Sequence, residues 1–254
     1  MLKTLGIVEV PPRNSPANRT LNSLAARHLG GQPLLERVVG RLTDAMLLEE
    51  VVILAVGADH ARWLRRIVPA NAAVFIADEA LDPLARLAAA IQEFSADALV
   101  RVRADHAFVD PVLVDRLIAQ AESQRHCDYV SYCSGRGQST LVAKLGVLAE
   151  WFRAEAVQRA DELAQHPEER QDLSRFIRSH PESFHLRLIP VPMELDRADL
   201  RLAIRGEDDW DHAQMIVEAL GPDNLDWQRI AKLIEQHPLL RERMARLNAV
   251  ECTA

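Results

Sequence analysis

Along the first half of the chain, short apolar runs alternate with longer stretches in which apolar residues return every three or four positions. Residues 4–10, 50–55, 73–76 and 98–102 are of strand length and almost wholly apolar. Residues 33–48, 59–67 and 83–94 carry the spacing of helices with one buried stripe. A helix over 111–124 and a strand over 128–133 continue the series, and Gly135 and Gly137 mark a turn after it. Strands separated by helix-length periodic segments predict βαβ units and a mainly parallel sheet.

The pattern weakens in the second half. Residues 145–148 form a candidate strand, 151–165 a helix, and the charged stretch 166–178 a further helix starting at Pro167. Residues 184–192 read as extended, and Pro190 and Pro192 favour a sheet edge, since proline donates no ladder hydrogen bond. A short strand at 200–204 precedes helices at 209–220 and 226–236, which a Gly221-Pro222-Asp223-Asn224 turn separates. No repeat, low-complexity tract or linker interrupts the chain, so residues 1–254 are expected to form one domain.

Candidate chemistry concentrates in residues 97–111. The strand at 98–102 is apolar apart from Arg101, and Asp105 follows at its carboxyl end. Asp110-Pro111 has the form of a helix start, with a capping carboxylate and a proline where the first helical N–H is not needed. In open α/β sheets, ligands bind in the crevice beyond the carboxyl ends of the strands. A carboxylate there either holds a divalent cation against nucleotide phosphates or simply begins the loop, and the residues by themselves leave both open. His106 offers a base or a ligand, or a loop histidine satisfied by backbone.

Composition narrows the partners. The net charge of −7 comes from interleaved acids and bases, which argues against a general affinity for nucleic acid. Cys127, Cys133 and Cys252 lack the spacing of a zinc site or a disulfide framework. Lys3 and Glu9 interrupt the first apolar run, and no segment approaches the roughly 20 apolar residues of a membrane span. A cytoplasmic location without a membrane partner is the expectation. Gly30-Gly31 fits neither GxGxxG nor GxxxxGK and reads as a turn. The run Glu168-Glu169-Arg170-Gln171-Asp172 reads as a solvated face.

Several segments are similar to a known family, in the same order along the chain. Arg101, Asp105, Val109, Asp110, Pro111, Leu113 and Asp115 match the VRITGDCPLIDPELID stretch of cytidylyltransferases that make activated sugar acids or spore-coat polysaccharide precursors. Residues 29–38 look like that family's IGGKPLLEHV, Leu84 and Arg86 fit its VLDRY, and residues 128–131 are similar to its DYVSN. Glu150, Phe152, Glu155-Ala156 and Ala160 sit where EVFSFEALEKA would lie, and Leu200-Arg201 with Asp208-Asp209 resemble LRWTVDTPED. The resemblance covers residues 1–245. It implies a three-layer α/β nucleotidyltransferase-like fold of the GT-A type, and transfer of CMP from CTP to a sugar or sugar acid with Mg2+. It also implies Arg13, Arg19, Arg86 and Arg101 as nucleotide contacts and Asp105 as a metal ligand. Trp151, Phe152 and residues 168–178 are implied as core or as a homodimer surface in the second half.

The chemistry departs from the family where the framework does not. The family's QARMGSTRLPGK loop wraps phosphates with backbone N–H groups, but no glycine occurs here between Gly6 and Gly30. Pro11, Pro12 and Pro16 remove three donors, and Leu24 stands where the family has lysine. Residues 11–23 are therefore not expected to cradle a triphosphate, leaving Arg13 and Arg19 as weaker anion contacts. A second metal-site acid of the family falls on Arg205, and an acid of its GLDVE element on Leu148. A guanidinium cannot ligate a cation. The acids at 207, 208, 209 and 211 either replace the lost carboxylate or meet the positive end of a helix. Arg205 is expected opposite Asp105, as an internal substitute for the metal bridge. Three functions stay open: CMP transfer, a non-catalytic relative that binds a sugar, nucleotide or partner protein, and a metal-independent enzyme. The altered loop and Arg205 favour the second.

Overall fold

The computed structural model describes residues 1–12, 19–124, 126–135, 137 and 144–251. Its strands are β1 (Thr4–Glu9), the small hairpin β2 (His28–Leu29) and β3 (Gln32–Pro33), β4 (Glu50–Val56), β5 (Ala73–Ala77), β6 (Ala98–Arg103), β7 (Tyr129–Cys133), β8 (Glu150–Arg153) and β9 (Leu186–Pro190). Seven of them form one sheet in the order β5-β4-β1-β6-β8-β7-β9. Only β8 runs against its neighbours; the other pairings in this sheet are parallel.

Alternation along the strands sorts the core into two layers, because successive side chains leave a strand on opposite faces. Val8, Ile53, Val100, Val130 and Trp151 pack on one side against α1 (Arg19–Ala25), α2 (Leu34–Thr43), α3 (Gly57–Leu64) and α5 (Pro111–Glu122), and against a later group of helices. That group is α8 (Glu207–Leu220), α9 (Trp227–Gln236) and α10 (Pro238–Glu251). Ile7, Leu54, Leu99, Tyr129 and Phe152 pack on the other side against α4 (Pro83–Phe94), α6 (Ala154–Leu163) and α7 (Leu173–Ser179). Trp151 and Phe152 are thus core residues. The chain steps outward from β1 to β4 to β5, then returns through α4 on the opposite face to β6, on the other side of β1. That reversal opens a crevice at the carboxyl ends of β1 and β6, the usual ligand position in such sheets.

The two Asp-Pro helix starts behave as capping chemistry dictates. Asp82 accepts from the Ala85 N–H at 2.9 Å, and Asp110 Oδ1 accepts from Val112 and Leu113 at 3.0 and 3.2 Å. The other Asp110 oxygen accepts from the Trp227 N–H at 3.1 Å and so also fixes the start of α9.

The second half corrects several expectations. Glu150–Arg153 is a strand rather than part of a helix over 151–165, and α6 starts only at Ala154. This strand lies in the sheet interior between β6 and β7, where both faces are buried and no alternation marks it. Residues 166–178 hold a 3-10 turn at Glu169–Gln171 and then α7, restarted by the Asp172 side chain capping the Arg175 N–H. The helix expected over 33–48 stops at Thr43; the Met46 and Leu47 N–H groups bond Asp115 instead. Residues 145–148 and 200–204 are buried but form no strand. They cross instead, with Leu202 and Ala203 both donating to the Lys144 carbonyl. Gly146 permits that crossing: its φ is +63°, and a Cβ there would lie 2.5 Å from the Ala203 nitrogen. Residues 184–192 do hold an edge strand, β9. Among the described residues no helix is long and apolar enough to cross a membrane.

Candidate functional site

The carboxyl ends of β1, β4 and β6 open into a cleft of about 430 Å³, walled by Glu9, Pro11, Val56, Arg86, Arg103 and Gln171 among others. Arg103 reaches it because period two puts Leu99, Arg101 and Arg103 on one face of β6. Leu99 packs into the core beneath α4, and the two arginines continue the same row toward the strand end.

Asp105 sits just beyond β6 and is 0% exposed. Both of its carboxylate oxygens accept from Arg103, from Nε and Nη2 at 3.0 Å each. Arg205 approaches the same carboxylate, Nε to Oδ2 at 3.6 Å. Its segment is docked there because the Ile204 N–H donates to the Asp105 carbonyl at 2.9 Å and the Arg205 N–H donates to Asp209 at 3.0 Å. Burial works to raise the Asp105 pKa, but His106, Arg103 and Arg205 together hold it below the usual carboxylate range. The site is therefore an ionised carboxylate under two guanidinium groups.

His106 is buried behind this carboxylate, with Nδ1 3.1 Å from the Leu148 carbonyl and Nε2 3.6 Å from Asp105 Oδ1. Burial pulls its imidazole down to about 4, against the attraction of Asp105. It is thus neutral near pH 7, with Nδ1 held by backbone and the buried Nε2 making no hydrogen bond among the described residues. Because the folded pKa lies below the unfolded one, the unfolded chain takes the proton first, and stability falls as pH drops from about 6.5 to about 4. Urea titrations across that window should show the natural chain losing on the order of 3 kcal/mol more than His106→Asn, which retains a donor for Leu148. Equal losses would contradict this assignment.

Arg101 lies below the cleft rather than on its wall. It donates to Glu150 Oε2 at 2.6 Å and Ser174 Oγ at 2.5 Å, with Glu9 at 3.6 Å and Asp172 at 3.8 Å. Tyr129 donates its hydroxyl to the other Glu150 oxygen. Arg86 is different: its side chain makes no hydrogen bond or ion pair among the described residues, and its Nε is buried. Arg13 and the side chain of Arg19 lie outside the described residues, as do all of residues 13–18; residues 19–23, expected as part of a loop, begin α1.

The acidic cluster does not converge on Asp105. Asp209 receives Arg201 at 2.6 and 3.1 Å, Glu207 pairs with Arg27 at 2.6 Å, and Asp208 and Asp211 are exposed. The charged run at 168–172 is only partly a solvated face: Arg170 bonds Asp82, at the start of α4, and Asp161. Leu148, where the family has an acid, is wholly buried. The sequence did not single out Arg103, Glu9 or Gln171. The strand alternation that carries Arg101 to Arg103 was the available signal; nothing local announces Gln171.

Residues 23–183 match the model of the MobA-like NTP transferase domain. The chain belongs to that family. Its fold is that of the cytidylyltransferases: a cytidylyltransferase from Leptospira borgpetersenii serovar Hardjo-bovis superposes with a TM-score of 0.78 at 19% identity, covering 94% of this chain and 95% of that one. CMP:2-keto-3-deoxy-manno-octonic acid synthetase, solved with CTP, gives 0.62 at 11% identity, covering 85% and 99%. Rv0371c from Mycobacterium tuberculosis H37Rv, solved with manganese, gives 0.57 at 14%, covering 84% and 98%. In this member of the family, the residues around Asp105 do not fit a divalent ion. Its oxygens already serve Arg103, the facing residue is Arg205, and among the described residues no group of three or more His, Cys, Asp or Glu side chains is placed to hold a metal.

Proposed function

We propose that this chain binds a cytidine nucleotide in the cleft at the ends of β1, β4 and β6, and does not carry out magnesium-dependent CMP transfer to a sugar or sugar acid. The observation that carries this reading is the Asp105 carboxylate, each oxygen of which accepts from Arg103 and which Arg205 faces. In the enzymes that the sequence resembles, a nucleophile on the sugar attacks the α-phosphate of CTP and pyrophosphate leaves. That displacement needs carboxylates which grip Mg2+ while sharing it with phosphate oxygens. Here both oxygens of the carboxylate already accept from Arg103, and the positive charges of Arg103 and Arg205 oppose the approach of such an ion.

The cleft supports binding better than turnover. Arg86 brings to it a cation that makes no ion pair among the described residues, and Glu9 and Gln171 offer polar atoms beside the apolar wall of Val56. A cytoplasmic setting, where CTP is at hand, belongs to the same reading. The purified chain, given CTP, magnesium and a sugar acid, is expected to release no pyrophosphate above the protein-free rate. Release that disappears in Asp105→Asn would overturn the non-catalytic reading.

A further inference from the structure

We propose that Glu9 and Arg86 together read the base of the nucleotide, with Glu9 selecting a pyrimidine that carries an amino group over one that carries a carbonyl in its place. This rests on the nucleotide reading above and adds to it the residues that choose the base. The charges on the cleft wall are balanced. Arg103 is held by Asp105, Asp82 receives Arg170 at 2.6 Å, and Glu9 and Arg86 are opposite in sign. Such a wall has no concentration of cations for a triphosphate and suits the flat, uncharged end of a nucleotide better. Pro11, Pro12, Val56 and Pro83 line it with apolar surface for a ring face. Pro11 and Pro12, which bring no N–H to a phosphate, gain a use as that surface.

Two groups on this wall lack the hydrogen bonds their chemistry calls for. Glu9 ends β1 on the same face as Leu5 and Ile7, which puts its side chain on the α4 side of the sheet. Its one ion pair among the described residues is with Arg101 Nη1 at 3.6 Å, beyond hydrogen-bond distance, and 26% of the side chain is exposed. Arg86 makes no ion pair among the described residues, and its buried Nε has no hydrogen bond there. Glu9 is near enough to act on the Arg86 charge. A carboxylate that only accepts thus stands beside a fork that only donates. The pairing edge of cytosine presents an amino donor at N4, then acceptors at N3 and O2. The carboxylate takes the amino proton while two parallel guanidinium N–H groups serve N3 and O2. Uracil reverses the first two groups: O4 meets the carboxylate, and the N3 proton meets a guanidinium proton. Both contacts then set like against like, and a site built on hydrogen bonds rejects the analogue that cannot make them.

Calorimetric titration of the full chain with CTP, UTP and GTP in one buffer tests this. CTP is expected to bind about tenfold tighter than UTP. Glu9→Gln, whose amide can turn either its oxygen or its NH2 to the base, should bring CTP and UTP within about threefold of each other. Arg86→Lys should weaken CTP about tenfold, because one ammonium cannot serve N3 and O2 as a planar fork does. Equal affinity of the natural chain for CTP and UTP overturns the proposal and leaves the nucleotide reading standing. So does a preference for CTP that Glu9→Gln leaves unchanged, or a CTP affinity that Arg86→Lys leaves unchanged, in a variant with a native melting curve. GTP binding tighter than CTP overturns the choice of base in both readings, since the guanine edge also offers protons to a carboxylate. Failure of all three nucleotides to bind overturns both.

Discussion

Arg101→Met is expected to lower the unfolding free energy by about 3–5 kcal/mol, the range for breaking a buried ion pair from one side. The substitution roughly preserves volume and leaves Glu150 in the sheet interior without its nearest cation. Glu150 is 7% exposed, and its remaining partners are the neutral hydroxyls of Tyr129 and Ser174 and the more distant guanidinium of Arg178, 4.0 Å away. Glu9 and Asp172 lose the same cation, at 3.6 and 3.8 Å. Burial opposes the charge on Arg101, but the three carboxylates prevail and raise its pKa; burial likewise opposes the charge on Glu150, and Arg101 prevails there. The charged pair is thus the folded form. Urea unfolding near neutral pH measures the loss. The double variant Arg101→Met with Glu150→Leu should recover most of it, because no charge is then left in the sheet interior and Glu9, Asp172 and Arg178 are partly exposed to water. A single-variant loss below about 1 kcal/mol would place the pair among weak surface bridges.

The first half of the main sheet was legible because each of its strands there is a short apolar run and two helices carry Asp-Pro starts at residues 82–83 and 110–111, whereas the hairpin β2–β3 and the short α1 carry no such signal. Local rules suffice for such elements. Glu150–Arg153 was not legible, since a four-residue strand buried on both faces looks like the first turn of the helix that follows it. Residues 200–204 misled for a related reason. They are apolar and buried like a strand, but their N–H groups go to single carbonyls of Lys144 and Asp105 rather than to a ladder. The closing helix α10 gave no periodic signal strong enough to be read.

At the candidate site, Asp105 and Arg205 were legible because a family pattern runs through both. Their partners were not. Arg103 is two residues from Asp105, a spacing that carries no meaning in a loop until the strand end fixes its direction. The pairing of Arg101 with Glu150 and Ser174 spans 49 and 73 residues and depends on the sheet order β6-β8-β7. Gly146, which lets residues 202–203 come close enough to bring Arg205 to Asp105, reads in the sequence as one glycine among ten.

Manganese binding, followed by the loss of the free-ion EPR signal, tests most directly whether the arginines have displaced the metal. Two like unit charges about 4 Å apart repel by roughly 4 kcal/mol at an effective dielectric near 20, and a divalent ion beside Arg205 meets twice that before any carboxylate attracts it. Arg205→Asp reverses the sign at that position and offers a second carboxylate across from Asp105, while Arg103, half exposed, has room to move aside. The natural chain is predicted to leave the free-manganese signal at its buffer value. Arg205→Asp is predicted to gain a one-to-one site that Asp105→Asn in the same background removes. A stoichiometric site in the natural chain that is lost on Asp105→Asn would contradict the account.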